Sequence, residues 1–288
     1  MPSTVPTSFN KFVENISLTG DHKETATARK DRVVSLLSNS FTILDAFATG
    51  SIPRGTALKT VADLDVMVVL HWSKHIKGKS AEQVLQDVRD ALGEYRTNVR
   101  KNGQAVTLYY DSWPNVDIVP VSRTTDSDGS VNHYNVPNMT SGRWLESRPR
   151  RHANAIDAKA NKCGDCFKPL VRMVKQWNIA HSDLMESYHI EALSLKAFDG
   201  VISDYPWVVF QFFDKAVTLV KSSLPYEGGY ADDYLDNDDE REEVLNRLEA
   251  ARDKARTAWY LTYDRRSEHE GAIGIWRQVF GDKFPAYG

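Results

Sequence analysis

The sequence predicts an α+β protein of two lobes, a mixed sheet with helices followed by a mostly helical lobe. The prediction depends on a change in the spacing of apolar residues. Between residues 47 and 121, short apolar segments of strand length are interrupted by one helical segment, whereas from about residue 156 the apolar residues recur at helical spacing. A chain of 288 residues is long enough for both lobes. We therefore expect a first domain at residues 1–155 and a second at residues 156–288.

A long amino-terminal helix is predicted from about residue 22 to residue 44, after a polar lead-in. The apolar residues that recur there at helical spacing are Val33, Leu36, Leu37 and Phe41, with Ile43 and Leu44 closing the segment. We expect this helix to brace the two lobes.

Four strands and one helix are predicted for the rest of the first lobe. The strands cover residues 47–50, 63–70, 105–110 and 116–121, and the helix covers about 81–98. In the second lobe, a first helix has a face formed by Phe167, Leu170, Val171, Val174 and Asn178. A second helix is predicted at residues 188–199, and a third follows an acidic segment, with Leu245, Leu248, Ala251 and Ala255 at helical spacing.

Composition and charge argue against several classes of protein. The net charge of −3 is unfavourable for gripping long nucleic acid, because neutralising many phosphates requires an excess of Lys and Arg. Small anionic substrates need only a local basic pocket. The longest apolar stretches, residues 66–70 and 207–213, are far shorter than the roughly 20 residues that cross a bilayer. With no visible signal peptide and two cysteines, we expect a cytoplasmic protein.

Those cysteines, Cys163 and Cys166, have the spacing of a zinc knuckle. A histidine such as His152, His181 or His189 could complete a four-ligand site. No second cysteine pair accompanies them in the sequence, so free thiols are the expectation and no structural metal is predicted.

Two carboxylates, Asp63 and Asp65, stand at the start of an apolar strand that continues to Leu70. Side chains alternate along a strand, so these two are predicted to point the same way from a buried setting. Burying two like charges is costly, and a divalent cation is the usual compensation. We therefore expect Mg²⁺ here, a hard ion that prefers oxygen ligands, with Mn²⁺ able to substitute.

A third carboxylate, Asp117, lies in another apolar strand, and Gly50-Ser51 precedes the first pair. Three acids on neighbouring strands suit a two-metal site for attack of a ribose hydroxyl on an α-phosphorus, with Asp117 sharing in proton removal. The glycine allows close approach of the backbone to a phosphate whose oxygens the serine can bind. Each of these short motifs is common enough to occur by chance when taken alone. Their order, spacing and apolar context together fit one active site.

These segments resemble a known superfamily. Gly50-Ser51, Asp63-x-Asp65 and the VDIVP segment at residues 116–120 are similar to the signature of the polymerase-β-type nucleotidyltransferases. Further along, KPLVRMVKQWN at residues 168–178 and ESYHIE at residues 186–191 resemble successive helices of the helical lobe in cGAS/DncV-like enzymes, and residues 274–285 resemble the ending of many bacterial members.

The resemblance implies roles for three more residues. Lys175 would contact the donor triphosphate, Ser187 would bind phosphate oxygens, and Tyr188 would stack on a nucleobase. The residues alone place Lys168, Arg172 and Lys175 on one helical face opposite the apolar stripe, where a solvated surface is the alternative. For Tyr188 the alternative is ordinary core packing.

A basic patch before the second lobe allows two interpretations. Arg148, Arg150 and Arg151 could hold an acceptor nucleotide or coat the surface.

The resemblance also implies a function. It indicates template-independent synthesis of a cyclic di- or trinucleotide second messenger from ribonucleoside triphosphates, with release of pyrophosphate, in antiphage (CBASS-type) signalling. The product would activate an effector encoded elsewhere, and a regulatory partner is compatible with this. Two alternatives stay open: transfer of nucleotides to RNA, a protein or a small molecule, and a catalytically inactive nucleotide-sensing scaffold.

Overall fold

The protein divides into two compact units. The computed structural model describes residues 4–59, 61–95, 98–227, 229–235, 237–263 and 267–288. One unit is Thr19–Ala153, and the other combines the residues up to Leu18 with Asn154–Gly288. The division lies before Asn154, and residues 4–18 group with the helical unit.

The elements of the amino-terminal half are short strands interspersed with helices. In chain order they are α1 (Val5–Ile16), α2 (Gly20–Leu37), β1 (Ile43–Thr49), α3 (Ser51–Arg54), β2 (Leu64–Leu70), α4 (Trp72–His75), α5 (Ala81–Gly93), β3 (Val99–Asn102), β4 (Ala105–Leu108), β5 (Val116–Thr125), β6 (Val131–Asn138) and β7 (Arg143–Ser147).

The remaining elements are mostly helical. They are α6 (Pro149–Cys163), α7 (Phe167–Ala180), α8 (Ser187–Ala197), α9 (Tyr205–Leu219), β8 (Pro225–Tyr226), β9 (Gly229–Tyr230), α10 (Asp238–Tyr263), α11 (His269–Phe280) and a 3-10 turn (Gly281–Lys283). The α+β class predicted from the sequence is confirmed.

Within the described part of unit Thr19–Ala153, seven strands form one mixed sheet. Its spatial order is β1-β2-β5-β4-β3, and β6 and β7 extend it from β5. Strand β2 is antiparallel to β1 and parallel to β5, whereas β4 is antiparallel to β5. A parallel pair needs a long crossover connection, and the segment from α4 to β4 provides it between β2 and β5.

Apart from Asp65, strand β2 is apolar because both of its faces are covered. Leu64, Val66 and Val68 belong to a large core with residues of α2 and α5, whereas Met67 and Val69 belong to a smaller core with residues of β5 and β6. Alternation along the strand sends successive side chains to opposite faces, so a strand buried on both sides reads as a continuous apolar run.

The predicted amino-terminal helix is wrong at its carboxyl end. Helix α2 ends at Leu37, and Ile43 and Leu44 belong to β1, which is longer than the strand predicted at 47–50. Three polar residues, Ser38 to Ser40, follow the helix, and the Ser38 hydroxyl donates to the Val34 carbonyl. Such residues compete with the helical hydrogen bonds and favour helix ends.

Helix α1 lies in the segment that the sequence analysis took for a polar lead-in. Its apolar residues Val5, Phe9, Phe12 and Ile16 recur at helical spacing and are buried. The Phe9 ring meets the ring of Trp276 with centroids 5.0 Å apart and that of Phe284 at 5.1 Å. This aromatic contact explains why the first residues cluster with the helical unit.

Helix α7 is the central element of the helical unit and contacts α1, α8, α9 and α11. Every residue from Met173 to Asn178 is buried. No helix among the described residues is long and apolar enough to cross a bilayer.

Candidate active site

Two of the predicted carboxylates lie side by side at one end of the sheet. The parallel register of β2 and β5 pairs Asp65 with Asp117. The antiparallel neighbours complete the row, because Thr49 of β1 pairs with Asp65 and Thr107 of β4 pairs with Asp117. Residues that oppose one another on adjacent strands project from the same face. The sheet therefore brings Asp65 and Asp117 together on one surface.

Asp63 lies just outside this row. Strand β2 begins at Leu64, and the Asp63 residue is exposed, so the prediction of a buried strand position is wrong for it. Both the side chain and the backbone of Asn115 hydrogen-bond to the Asp63 carboxylate. The Leu64 N–H in turn donates to the Asn115 carbonyl oxygen at 2.9 Å, which joins this loop to the start of β2.

The carboxylates repel one another. Burial and then the charge of Asp117 raise the pKa of Asp65 to about 6, against the opposing effect of Arg54. The same two causes, partial burial and Asp117, raise the pKa of Asp63, although its hydrogen bonds to Asn115 act in the other direction. A cation at this surface would favour the ionised forms of these groups.

Gly50 approaches Asp65 so closely that no side chain fits. A β-carbon at position 50 would lie 1.7 Å from Asp65 Oδ2. The backbone of Gly50, with φ of 73° and ψ of −161°, is also in a region that residues other than glycine essentially never adopt. Both observations explain the glycine, which ends the β1 segment and introduces α3.

Ser51 begins the single turn of α3, next to the carboxylates. The Thr56 N–H donates to the Ser51 carbonyl at 3.0 Å and closes the turn. Because Thr49 is paired with Asp65 in the sheet, the structure brings Gly50 and Ser51 to the end of the sheet that carries the acids.

These carboxylates fit a divalent cation that is bound by protein oxygens on one side and by substrate oxygens on the other. Carboxylate oxygens are ligands that Mg²⁺ prefers, and this ion usually keeps several waters or substrate phosphates in its shell. Among the described residues, no three His, Cys, Asp or Glu side chains form a group that could hold a metal ion by themselves. Asp65 and Asp117 are paired across β2 and β5, and substrate oxygens and water would have to supply the other ligands of a cation there.

The three other predicted binding residues belong to the helical unit. Lys175 of α7 is buried, and its Nζ lies 2.7 Å from Glu191 Oε1 on α8. Ser187 is the first residue of α8 and is exposed. Since positions four apart share a helix face, the Lys175–Glu191 pair lies one turn along α8 from Ser187. Tyr188 is half-buried, and its ring meets the Tyr226 ring with centroids 5.5 Å apart.

The solvated surface that the sequence left as an alternative for this face of α7 is wrong. Lys168 pairs with Asp157 at 2.7 Å, and Arg172 is partly buried, whereas Lys175 is enclosed. The reason is the central place of α7, which has helices around it and leaves little of its carboxyl-terminal half to solvent.

Two residues of the basic patch have partners in the sheet unit. Arg150 lies 3.2 Å from Asp45 and over the Phe47 ring at 4.5 Å. Arg148 pairs with Glu146 at 3.2 Å.

The sequence analysis missed three residues beside the carboxylates: Arg54, Thr107 and Asn115. The Thr107 hydroxyl donates to Asp117 Oδ1 at 2.5 Å. Finding it from sequence would require the register of β4 against β5. Asn115 stands directly before the strand that carries Asp117, and Arg54 follows Ser51 by three residues. Their closeness in sequence to these predicted site residues was the available signal.

Comparison with known proteins places the chain in a family. The profile of the SMODS domain, the Second Messenger Oligonucleotide or Dinucleotide Synthetase domain, matches residues 3–160. A probable cyclic nucleotide synthase of Bacillus cereus (strain VD146) is 22% identical, over 100% of this chain and 99% of the relative. A cyclic AMP-AMP-AMP synthase of Escherichia coli (strain MS 115-1) is 26% identical, over 73% of this chain and 69% of the relative.

A solved structure shares the fold. The CdnC protein of Escherichia coli MS115-1, in a CdnC:HORMA-deltaN complex, superimposes with a TM-score of 0.70 at 22% identity, over 97% of this chain and 98% of that one. The family match covers more than half of the chain, and it confirms the resemblance to cGAS/DncV-like nucleotidyltransferases. The chain belongs to the family of second-messenger oligonucleotide or dinucleotide synthetases.

Proposed function

We propose that the chain joins ribonucleoside triphosphates into a cyclic di- or trinucleotide and releases pyrophosphate. The observation that carries this proposal is the parallel pairing of Asp65 with Asp117, with Gly50 against Asp65 at the same end of the sheet. Two adjacent carboxylates beside a glycine turn suit a nucleotide whose phosphates share a divalent cation with the protein.

Asp63, Asp65 and Asp117 would hold Mg²⁺. When bound, the metal would stabilise the leaving pyrophosphate and make the attacking ribose hydroxyl more acidic. Asp117 is the carboxylate that we assign to accept the proton of that hydroxyl as its oxygen bonds to the α-phosphorus. Gly50 and Ser51 would bind the phosphates of the donor through backbone N–H groups and the serine hydroxyl.

We assign nucleotide binding also to Lys175, Ser187 and Tyr188. Ser187, at the exposed amino end of α8, can donate its hydroxyl and backbone N–H to phosphate oxygens. Tyr188 is only half-buried, which supports stacking of its ring on a base. Lys175 is held by Glu191, so its contact with a triphosphate requires that Nζ use a second of its three donor hydrogens.

The relatives suggest which substrate and which partner to test first. Two proteins named cyclic AMP-AMP-AMP synthase match this chain, which supports ATP as the first substrate to test. The similar CdnC structure contains a HORMA protein, which supports a test for a regulatory partner of this class. We place the product in antiphage signalling, where it would activate a separate effector.

Release of pyrophosphate tests whether the chain is an enzyme. Purified protein is incubated with the four ribonucleoside triphosphates and Mg²⁺, and pyrophosphate is measured for the parent and for Asp65→Asn and Asp117→Asn variants. We expect release by the parent and a loss of at least about a thousandfold in both variants, because each removes a carboxylate that holds the metal. Equal release by parent and variants would place the reaction elsewhere. No release by the parent, with or without a HORMA partner, would favour a nucleotide-sensing scaffold.

A further inference from the structure

Thr107 is a buried polar residue in an otherwise apolar strand. Its neighbours Ala105, Val106 and Leu108 are buried hydrophobic residues of β4, and Thr107 is only 2% exposed. A valine has nearly the same shape and an equal preference for strands, so packing alone would be satisfied by it. The hydroxyl at this position therefore needs an explanation other than packing.

The register of the sheet directs that hydroxyl to one acceptor. Thr107 opposes Asp117 across the β4–β5 pair, and its Oγ1 donates to Asp117 Oδ1 at 2.5 Å. Rotation about the last bond of an aspartate side chain is broad and roughly two-fold. A fixed donor on one oxygen restricts that rotation and leaves the second oxygen, Oδ2, for another partner.

Each of the other two carboxylates has its own neighbour that limits its movement. Asp63 receives hydrogen bonds from Asn115, and Asp65 Oδ2 lies against Gly50. Thr107 supplies the corresponding restraint for Asp117, from a strand that carries none of the predicted site residues.

We propose that Thr107 is a positioning residue of the active site, whose hydroxyl fixes Asp117 so that its second oxygen can bind a divalent cation. This inference rests on the proposed function. Thr107 makes no contact with substrate in the proposed reaction, because it acts through Asp117.

Metal binding gives a direct test that does not depend on turnover. Binding of Mn²⁺ is measured from the free-ion signal in electron paramagnetic resonance, with α,β-methylene ATP present so that no reaction occurs. Thr107→Val keeps the shape and removes the hydroxyl, and we expect about tenfold weaker Mn²⁺ binding, the effect of losing one hydrogen bond to a charged group. Thr107→Ser keeps the hydroxyl and should restore most of the binding.

A matched control addresses general loss of stability. Thr262 of α10 is also buried, and its hydroxyl donates to the Ala258 carbonyl at 2.7 Å. Thr262→Val removes a buried hydroxyl of the helical unit and should leave Mn²⁺ binding unchanged. Steady-state rates add a second readout: with Thr107→Val, kcat should fall about tenfold and the Mg²⁺ concentration for half-maximal rate should rise, while KM for ATP changes little.

Two outcomes would overturn the inference in distinguishable ways. If the parent binds Mn²⁺ and Asp117→Asn weakens it, but Thr107→Val binds within twofold of the parent, Thr107 has only a structural role and the proposed function stands. If the parent neither binds Mn²⁺ with the ATP analogue nor releases pyrophosphate from ATP, the proposed function fails and this inference fails with it.

Discussion

At the scale of single residues, Gly50 shows how closely the backbone approaches the carboxylates. A side chain there would overlap Asp65 Oδ2, and the backbone conformation is one that glycine adopts most easily. This combination makes Gly50 a sensitive probe of the geometry at the end of the sheet.

We predict that Gly50→Ala lowers the rate of pyrophosphate release by at least about a hundredfold, because it must displace the Asp65 carboxylate from its place beside Asp117. The matched control is Gly78→Ala. Gly78 also has a positive φ, of 78°, but a β-carbon there meets no atom within 4 Å. The control should lose stability of about 1–2 kcal/mol from backbone strain and keep its activity. Equal losses of activity in the two variants would show that strain, and not the contact with Asp65, is responsible.

Asp65 and Asp117 also illustrate a conflict between stability and function. Burial and, after it, the charge of the neighbouring Asp117 raise the pKa of Asp65 to about 6, so the ionised form is disfavoured in the folded protein. Such arrangements concentrate at functional sites, because the group that destabilises the free protein binds the cation or the substrate.

At the scale of secondary-structure elements, the contact between α7 and α8 includes a buried ion pair. Lys175 and Glu191 are 5% and 0% exposed at their side chains. Removing one member of such a pair leaves an uncompensated charge, whereas replacing both by apolar residues is often neutral. The pair therefore allows the structural and the binding roles of Lys175 to be separated.

We predict that Lys175→Met lowers the free energy of unfolding by about 3–5 kcal/mol and that the double variant Lys175→Met, Glu191→Met recovers most of it. If Lys175 also contacts the triphosphate, the stable double variant should still bind ATP at least about tenfold more weakly than the parent, as measured by calorimetry. Unchanged ATP affinity in the double variant would restrict Lys175 to a structural role.

Elements with a distinctive local pattern of apolar residues could be predicted from the sequence. The strands that carry Asp65 and Asp117 were predicted because a buried strand has a continuous apolar run, which local pattern reveals. The end of α2 and the start of β1 were misplaced because Ile43 and Leu44 fit either element, and the order of β1, β2 and β5 in the sheet decides between them.

Long-range pairing was the part that the sequence could not supply. The Asp65–Asp117 pairing, the Thr107 hydroxyl on Asp117, and the Lys175–Glu191 pair all join residues distant in the chain. Local periodicity carries no information about strand register or about which helix lies against another. For that reason the sequence left a solvated surface open for the face that carries Lys175, although α7 is surrounded by other helices.

At the scale of the whole molecule, the fold is retained at low sequence identity. The chain superimposes over 97% of its length on a protein to which it is 22% identical. A fold shared at that distance does not determine base preference or ring size, since those depend on a few side chains. Because the net charge is −3, binding of triphosphates would depend on local cationic side chains instead of on an overall positive field.

The product of the reaction tests the central claim most directly. Purified protein is incubated with Mg²⁺ and each ribonucleoside triphosphate alone and together, then treated with phosphatase and analysed by mass spectrometry, with pyrophosphate measured in parallel. Because a ring has as many new phosphodiester bonds as nucleotides, cyclisation predicts one pyrophosphate for each triphosphate consumed and a phosphatase-resistant product at the mass of a cyclic di- or trinucleotide. The Asp63→Asn, Asp65→Asn double variant should make neither. Products that phosphatase degrades, with fewer pyrophosphates than triphosphates consumed, would contradict the account and indicate a transferase that makes linear chains.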